Sequence, residues 1–483
     1  MYGGQIRSRS TDEFFYRTTY RTTKISEMTF ESISCTSDVG DYAREIVRSK
    51  SPLDSRGFYI VNLKDVLYKI RLWKESCPRI QPFYAVKCND DPLVLTLLAS
   101  SRVNFDCASM QEMTKVLSLD IDPSRIVYAH PVKTVQYLQF ARQNRVTQMT
   151  FDSFDELQKI REFYPEAALI IRLKVDDGGC VFKLSKKFGS TEKTSEYLME
   201  EAHKMGLNVI GVSFHVGCSK KSCAIFTNAI ESARRLFDYG ERLGFNMKLL
   251  DIGGGFPGYR GCENEFCELA KAINMAVDKL FPKGRNYEII SEPGTFFVAS
   301  AFTLFSRIIG KKVFNERCAG IFKRNYTLHQ NSNGHRTTNE SGSNVEARAE
   351  DSCSSDNDSD APPAKNKCNL QCAENHDATE VIACKRCEYY INDSVYMSFN
   401  MCFFNEDLIR PEPLHLKERL DCPRVKTVLW GNTCDGVDKV KTQCLLPEMN
   451  TGDWLRFDSL GAYSVVLETA FNGMDVPERF YIK

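Results

Sequence analysis

The sequence predicts an α/β protein, a closed (β/α)₈ TIM barrel followed by a C-terminal antiparallel β domain. Three observations carry this. From about Gln81 one unit recurs, a short β-branched apolar run and then a stretch with helical spacing, eight times over. Six of the eight runs stop at or beside residues able to do chemistry, which is where such barrels keep their active sites. After Glu292 the helical rhythm gives way to strand-like segments separated by turn residues.

In chain order, residues 1–56 form an N-terminal segment expected to be partly disordered, and 57–80 supply a strand and helix that join the β domain. The barrel spans 81–297. Its runs are PFYAVK (82–87), VNFD (103–106), RIVYA (125–129), QMTFD (148–152), ALIIRL (168–173), VIGVSFHV (209–216), KLLDIG (248–253) and YEIISE (287–292). They deliver Lys87, Asp106, Arg172, His215, the glycines 253–255 and Glu292 to one end. Residues 298–483 form the β domain, with strands expected at 298–310, 389–404, 424–431 and 453–470. A polar, Ser-, Asn- and Asp-rich insertion at about 313–387 is expected to be disordered.

Lys+Arg and Asp+Glu number 63 each, so the balance points to neither nucleic acid nor an anionic membrane as partner. No run of 18 or more apolar residues is present, and the N-terminus lacks the apolar core of a secretory signal. The 19 cysteines are expected to be free thiols in a reduced, cytoplasmic protein. Cys368, Cys372, Cys384 and Cys387 are irregularly spaced for structural zinc and lie in polar surroundings, so no metal is expected.

Lys87 ends an apolar strand, where desolvation is expected to lower its pKa and suit it to Schiff-base chemistry; alone it reads equally as a rim lysine reaching for solvent. DIGGGFPG (251–258) offers backbone N–H groups to an anion, or is a tight turn. Paired with a Schiff-base lysine, it favours a phosphorylated aldehyde cofactor. Glu292 suits a protonated pyridine nitrogen and His215 suits a ring face, although singly each is more often a satisfied core group. Cys434 and Asp435 set a thiol beside a carboxylate, a proton donor and an amine acceptor.

Together PFYAVKCND, FDCAS, MTFDS, FHVG, LLDIGGGFPG, SEPG, YINDSVY, WGNTCDG, GAY and FNG resemble the ornithine decarboxylase family, whose barrels are alanine-racemase-like; the family includes inactive, antizyme-inhibitor-like members. The resemblance covers about 57–473. It implies pyridoxal 5'-phosphate as cofactor and decarboxylation of a basic amino acid. It also implies a homodimer with shared active sites. Lys87 would take the cofactor aldehyde, Glu292 would pair with the pyridine nitrogen, and His215 would stack on the ring. Asp106 and Arg172 would orient the bound substrate, while Gly253, Gly254, Gly255 and Tyr463 would hold the phosphate. Cys434 and Asp435 would act across the dimer, with inter-subunit ion pairs Lys187–Asp438 and Asp152–Lys312.

Four positions depart from the family pattern. Thr295 stands where the family has a phosphate-gripping arginine, and Cys218 where it has serine. Phe404 and Asn405 replace a Tyr-Asp pair that meets the substrate's distal amine. The resemblance therefore implies either a decarboxylase or an inactive relative that binds antizyme. In the second case the binding segment would be 124–146, with Lys133, Arg142 and Arg145 facing an acidic partner, although a plain barrel helix with a solvated basic face reads equally well.

Overall fold

A computed structural model describes residues 39–51, 54, 56–176, 186–217, 222–315, 385–403, 405–414 and 423–482. The chain begins with α1 (Val39–Ser49), β1 (Phe58–Asn62) and α2 (Leu63–Ser76). Then come β2 (Ile80–Ala85), α3 (Pro92–Ser100), β3 (Asn104–Cys107), α4 (Met110–Leu117), β4 (Ile126–Tyr128) and α5 (Val135–Gln143). The series continues with β5 (Gln148–Phe151), α6 (Phe154–Phe163), β6 (Ala168–Arg172), α7 (Glu192–Lys204), β7 (Asn208–Ser213), α8 (Ser222–Arg242), β8 (Leu249–Asp251), α9 (Glu263–Leu280) and β9 (Glu288–Ser291). Strands β2 to β9 close into an eight-stranded parallel barrel, the last pairing with the first through Ile80↔Ile289 and Pro82↔Ser291.

Local sequence starts these helices. Asp91 accepts from the N–H groups of Leu93 and Val94 ahead of a proline at the first turn of α3. Ser109 caps α4 through the Glu112 N–H, and the Glu112 carboxylate reaches back to the Ala108 N–H at 2.7 Å, a variant of the capping box. Between helices and strands the apolar faces form one continuous core. Inside the barrel Phe83, Val127, Ile170, Ile210, Leu249 and Ile290 make a separate buried cluster.

The C-terminal domain follows the short helix α10 (Thr295–Val298). It comprises β10 (Phe302–Asn315), β11 (Lys385–Ile391), β12 (Pro411–Pro413), β13 (Arg424–Trp430), β14 (Lys439–Pro447), β15 (Trp454–Phe457) and β16 (Glu478–Ile482). The strand order is β12-β15-β10-β11-β13-β14, with β1 on β10 and β16 on β1. The sheet is mixed rather than purely antiparallel, because β11 pairs with β13, and β1 with β16, in parallel. The connection from Ile391 to Arg424 is long enough for the crossover a parallel pair needs, and β1 and β16 enter from opposite ends of the chain. The strand expected at 298–310 begins later, after a helical turn. The one expected at 389–404 ends at Ile391, where the chain turns to form 3₁₀ segments. The first 38 residues, and the insertion apart from its flanking strand ends, lie outside the described residues.

Two features lock barrel to sheet. Trp73 of α2 packs against Phe256, Phe266, Phe296 and Phe297 at ring separations of 4.9–5.9 Å and donates from Nε1 to the Ile80 carbonyl at 2.9 Å. That cluster fixes the segments after both DIGGG and SEPG. Arg479 of β16 pairs with Asp91 at the head of α3 and with Glu468, each at 3.3 Å, while the Tyr481 hydroxyl donates to Asp91 at 2.7 Å.

Near this link burial pushes Asp393 up to about 7 against its hydrogen bonds from Ser398 and Ser394. Burial likewise pushes Glu468 up to about 7, with Arg479 opposing and Asp393 adding to the rise. A carboxyl raised on folding contributes stability that is complete below the ordinary carboxylate range and is lost as pH rises through the folded value. Glu468→Gln removes one such group while Arg479 keeps Asp91. Its stability relative to wild type should therefore improve by roughly 2 kcal/mol between pH 4 and pH 8. Denaturant melts at both pH values measure this, and a difference independent of pH would refute it.

Candidate active site

The C-terminal ends of the barrel strands bring the sequence-selected residues together. β2 runs into a 3₁₀ turn, Val86–Cys88, which turns Lys87 into the mouth. Ala85 pairs with Asp106, so the neighbouring strand ends set Lys87 Nζ in an ion pair with Asp106 Oδ2. A third of the Lys87 side chain remains exposed while Asp106 is fully buried. Arg172 closes β6 and Asp251 closes β8, linked through Ser213 by successive register pairs. Glu292 follows β9, and its N–H donates to the Gly253 carbonyl at 2.7 Å.

The electrostatics differ from expectation at Lys87. Burial alone would lower its pKa, but the charges of Asp106 and Glu292 outweigh burial and hold the ammonium above its ordinary range. Burial pushes Asp106 up to about 7 even though Lys87 pulls it down. Burial, then the adjacent Asp251 carboxylate, push Glu292 well above the carboxylate range, and burial lifts Asp251 to about 6. Two carboxyls side by side in a dry site hold one proton between them. His215 is pressed well below its ordinary value by burial and by Arg172 and Lys87, so its ring is neutral, with Nδ1 3.2 Å from the Val216 carbonyl.

Asp251 escaped the sequence reading, which credited its strand end to the glycines alone. It accepts from the Gly253 N–H at 2.8 Å, and so ties the glycine turn to Glu292. The turn needs its glycines. Gly255 has φ +100°, and a Cβ there would lie 2.3 Å from the Val216 carbonyl oxygen. A Cβ on Gly254 would strike His215 Nε2 and the Glu292 carbonyl. The Tyr463 N–H donates to the Cys88 carbonyl at 2.9 Å, and burial raises the phenol's pKa while Lys87 opposes the rise.

Pyridoxal phosphate fits these residues. Asp106 Oδ1, Asp251 Oδ2 and Glu292 Oε1 are buried with no hydrogen-bond partner among the described residues, leaving Glu292 an acceptor for a ring N–H. Lys87 is accessible to an aldehyde. Arg172, only 8% exposed, makes no ion pair among the described residues. Thr295, where the family pattern has an arginine, opens α10 with its hydroxyl close to the Cys88 thiol. Cys218 lies outside the described residues, as does Phe404.

Cys434 and Asp435 sit on an exposed loop of the β domain. The Cys434 N–H donates to Asn472 Oδ1 at 3.0 Å, and the Tyr396 hydroxyl donates to Asp435. That bond from Tyr396 is the main reason Asp435 is held below the ordinary carboxylate range. Among the described residues, no contact joins Cys434 or Asp435 to Lys87, Asp106, Arg172, His215 or Glu292 of the same chain. Asp438, proposed for an ion pair with a partner's Lys187, is 1% exposed. Its carboxylate accepts from the Val395 N–H and from the N–H and hydroxyl of Thr433 within its own chain, and Lys187 lies over the Phe188 ring. Asp152 accepts from the Gly189 N–H, and Lys312 lies over Tyr390. Asn405 Oδ1 accepts from the Asp407 N–H at 3.0 Å, capping a 3₁₀ turn. Of the cysteine cluster, Cys387 is buried in the core, while Cys368, Cys372 and Cys384 lie outside the described residues.

A partly exposed lysine among buried carboxylates at a barrel mouth, beside a glycine turn, defines a pyridoxal-phosphate enzyme site, and comparison with known proteins agrees. Residues 63–299 match the pyridoxal-binding domain model of the pyridoxal-dependent decarboxylases, and 376–461 match that family's C-terminal sheet domain. The chain belongs to this family of pyridoxal-dependent decarboxylases. More narrowly it is similar to ornithine decarboxylase of Rattus norvegicus, 38% identical over 92% of this chain and 86% of the rat protein. It is also similar to antizyme inhibitor 2 of Xenopus laevis, 36% identical over 90% of this chain and 82% of that one. Among solved structures, the Paramecium bursaria Chlorella virus arginine decarboxylase bound to agmatine superposes with TM-score 0.73 at 31% identity. That match covers 92% of this chain and all of the viral one.

Thr295→Arg would add a charge-assisted hydrogen bond worth about 1.5–3 kcal/mol if the phosphate lies at the start of α10, a roughly tenfold to hundredfold lower cofactor Kd. Fluorescence titration with pyridoxal phosphate measures it, and an unchanged Kd would place the phosphate elsewhere. Gly255→Ala should abolish cofactor binding in the same titration, because its Cβ displaces the Val216 backbone.

Proposed function

We propose that this chain decarboxylates a basic amino acid, L-ornithine to putrescine with release of CO₂, as a cytoplasmic homodimer whose active sites combine both subunits. The observation that carries this reading is Lys87 clasped by buried Asp106 above the Asp251–Glu292 pair and the glycine turn. Lys87 would hold the cofactor aldehyde, Glu292 its ring nitrogen and His215 its ring face. Gly253, Gly254, Gly255 and Tyr463 would take its phosphate. Bound there, pyridoxal phosphate supplies an electron sink for the carbon that loses its carboxylate.

The chain's own groups supply the rest. Lys87 must shed a proton before its nitrogen can attack a carbonyl, and Asp106 Oδ2, raised to about 7 by burial, is positioned to take it. Glu292 keeps the ring nitrogen protonated, with Asp251 holding Glu292 in place. Arg172 faces the substrate carboxylate until it leaves as CO₂. The α-carbon then gains one proton from the Cys434 thiol of a second copy, and Asp435 of that copy holds the distal amine.

The second copy is supported by the surface around that loop. Phe403, Val437, Leu467 and Phe471 are exposed large apolar side chains, and the rings of Phe403 and Phe471 lie 6.2 and 4.7 Å from that of Tyr396. A partner's barrel mouth covering this patch would bring Cys434 and Asp435 to its Lys87. The cytoplasm suits the free thiols among the described cysteines, and no helix is long and apolar enough to cross a membrane.

A second reading, an inactive homologue that binds antizyme, is favoured by Thr295 and by the likeness to antizyme inhibitor 2. Its expected basic surface is smaller than the sequence suggested. Lys133 is buried against Glu156 at 2.9 Å, while Arg142, paired with Glu166, and Arg145 are both exposed.

CO₂ release from L-ornithine, L-lysine and L-arginine with excess pyridoxal phosphate separates the two readings. Release from ornithine, lost in Lys87→Ala, is expected; no release from any would leave the inactive reading standing. Mixing inactive Lys87→Ala with inactive Cys434→Ala should restore part of the activity, since each mixed dimer regains one complete site. Failure to complement would argue against shared sites.

A further inference from the structure

Three separated segments meet at the loop that carries Cys434, and one of them has no assigned role. Residues 471–473 form a tight turn in which Asn472 and Gly473 both adopt left-handed backbone, at φ 58° and 67°. Few residues tolerate that conformation: glycine freely, asparagine and aspartate at modest strain. At Asn472 the side chain does more than tolerate it. Its Oδ1 accepts the Cys434 N–H at 3.0 Å across a sequence separation of 38 residues. Next to it, Phe471 packs on Tyr396, whose hydroxyl holds Asp435, and the Thr469 N–H and hydroxyl both donate to the Tyr396 carbonyl at 3.0 Å. The Cys434 loop is exposed; its neighbours Thr433 and Asp435 are held by Asp438 and Tyr396, and the Asn472 bond is the one that holds the Cys434 N–H itself, at the thiol's root.

We propose that Asn472 is a positioning residue for the proton delivered by Cys434. It sets the direction of the Cα–Cβ bond, and so the reach of Sγ, without touching substrate or cofactor. This rests on the decarboxylase reading above. The left-handed backbone allows a clean test, because glycine keeps the turn and deletes the acceptor, while aspartate keeps both.

In Asn472→Gly, kcat should fall roughly tenfold, the effect of losing about one hydrogen bond's worth of alignment, with KM changed less than about threefold. Asn472→Asp should return kcat to within about threefold of wild type. Hydrogen–deuterium exchange of the full chain supplies a readout independent of turnover. The peptide bearing the Cys434 amide should exchange at least about tenfold faster in Asn472→Gly and regain protection in Asn472→Asp. Unchanged exchange in Asn472→Gly would overturn the proposal, because the bond would then hold nothing. Faster exchange with an unaltered kcat would equally overturn it, showing that the loop's order does not serve proton delivery. An inactive wild type would sink the decarboxylase reading instead, and with it the delivery role, while exchange would still report whether Asn472 holds the loop.

Discussion

Three buried carboxylates crowd one lysine and one arginine at the end of a closed barrel, and most of the molecule's chemistry follows from that imbalance. Asp106, Asp251 and Glu292 cannot all ionise in a mouth where Lys87 and Arg172 are the facing cations among the described residues. The protein resolves this by sharing. Asp106 pairs with Lys87, and Glu292 and Asp251 hold a proton between them. Each of the three keeps one oxygen without a partner among the described residues, an arrangement that makes sense only if something polar completes it. A protonated ring nitrogen would answer Glu292. The cluster thus prepares Lys87 as a masked nucleophile, with charge and proton acceptor in one contact.

That crowding persists because the scaffold leaves the groups no room to move. Barrel closure fixes strand ends relative to one another, since each register pair sets its neighbour. Behind the glycine turn, Trp73 packs Phe256, Phe266, Phe296 and Phe297 into one aromatic block that joins the segments after DIGGG and SEPG. Rigid packing of this kind lets a site sustain like charges that would relax apart in a looser structure. The β domain is fastened to the same barrel end through Arg479, Asp91 and Tyr463, so the cofactor end and the sheet share one frame.

Much of this is legible in the sequence because strand ends announce themselves. An apolar run that stops at Lys87, Asp106, Arg172 or Glu292 places a charge at a known height in the barrel, whatever the rest of the chain does. What sequence could not show is how those charges act on one another. Taken singly, Lys87 should lose proton affinity on burial; in company with Asp106 and Glu292 it gains it. Asp251 was hidden in plain view because a motif read as GGG draws attention to backbone and away from the carboxylate before it. Asn472 had no local signal beyond an Asn-Gly turn, because its importance lies in a contact 38 residues away. Parallel pairing of β11 with β13 was invisible for the same reason, since alternation specifies a strand and says nothing of its neighbour.

Of the four departures from the family pattern, Cys218 and Phe404 lie outside the described residues, while Thr295 opens α10 and Asn405 caps a 3₁₀ turn away from the Lys87–Asp106 and Glu292–Asp251 pairs, and that argues for retained chemistry. If the cofactor phosphate is held at the start of α10, Thr295 would weaken the grip on it, at the end of the cofactor remote from the reacting carbon. Losing a charge-assisted contact there weakens binding by about 1.5–3 kcal/mol. A covalent link through Lys87 does not depend on that contact once formed, and excess cofactor offsets the deficit by mass action. An inactive relative released from selection on its chemistry would have no reason to keep Lys87 against a buried Asp106. Nor would it need the Glu292–Asp251 pair, whose charges burden stability without a cofactor to complete them. The half-satisfied carboxylates at the barrel mouth are therefore the features that an abandoned site would be expected to lose first, and here all of them remain.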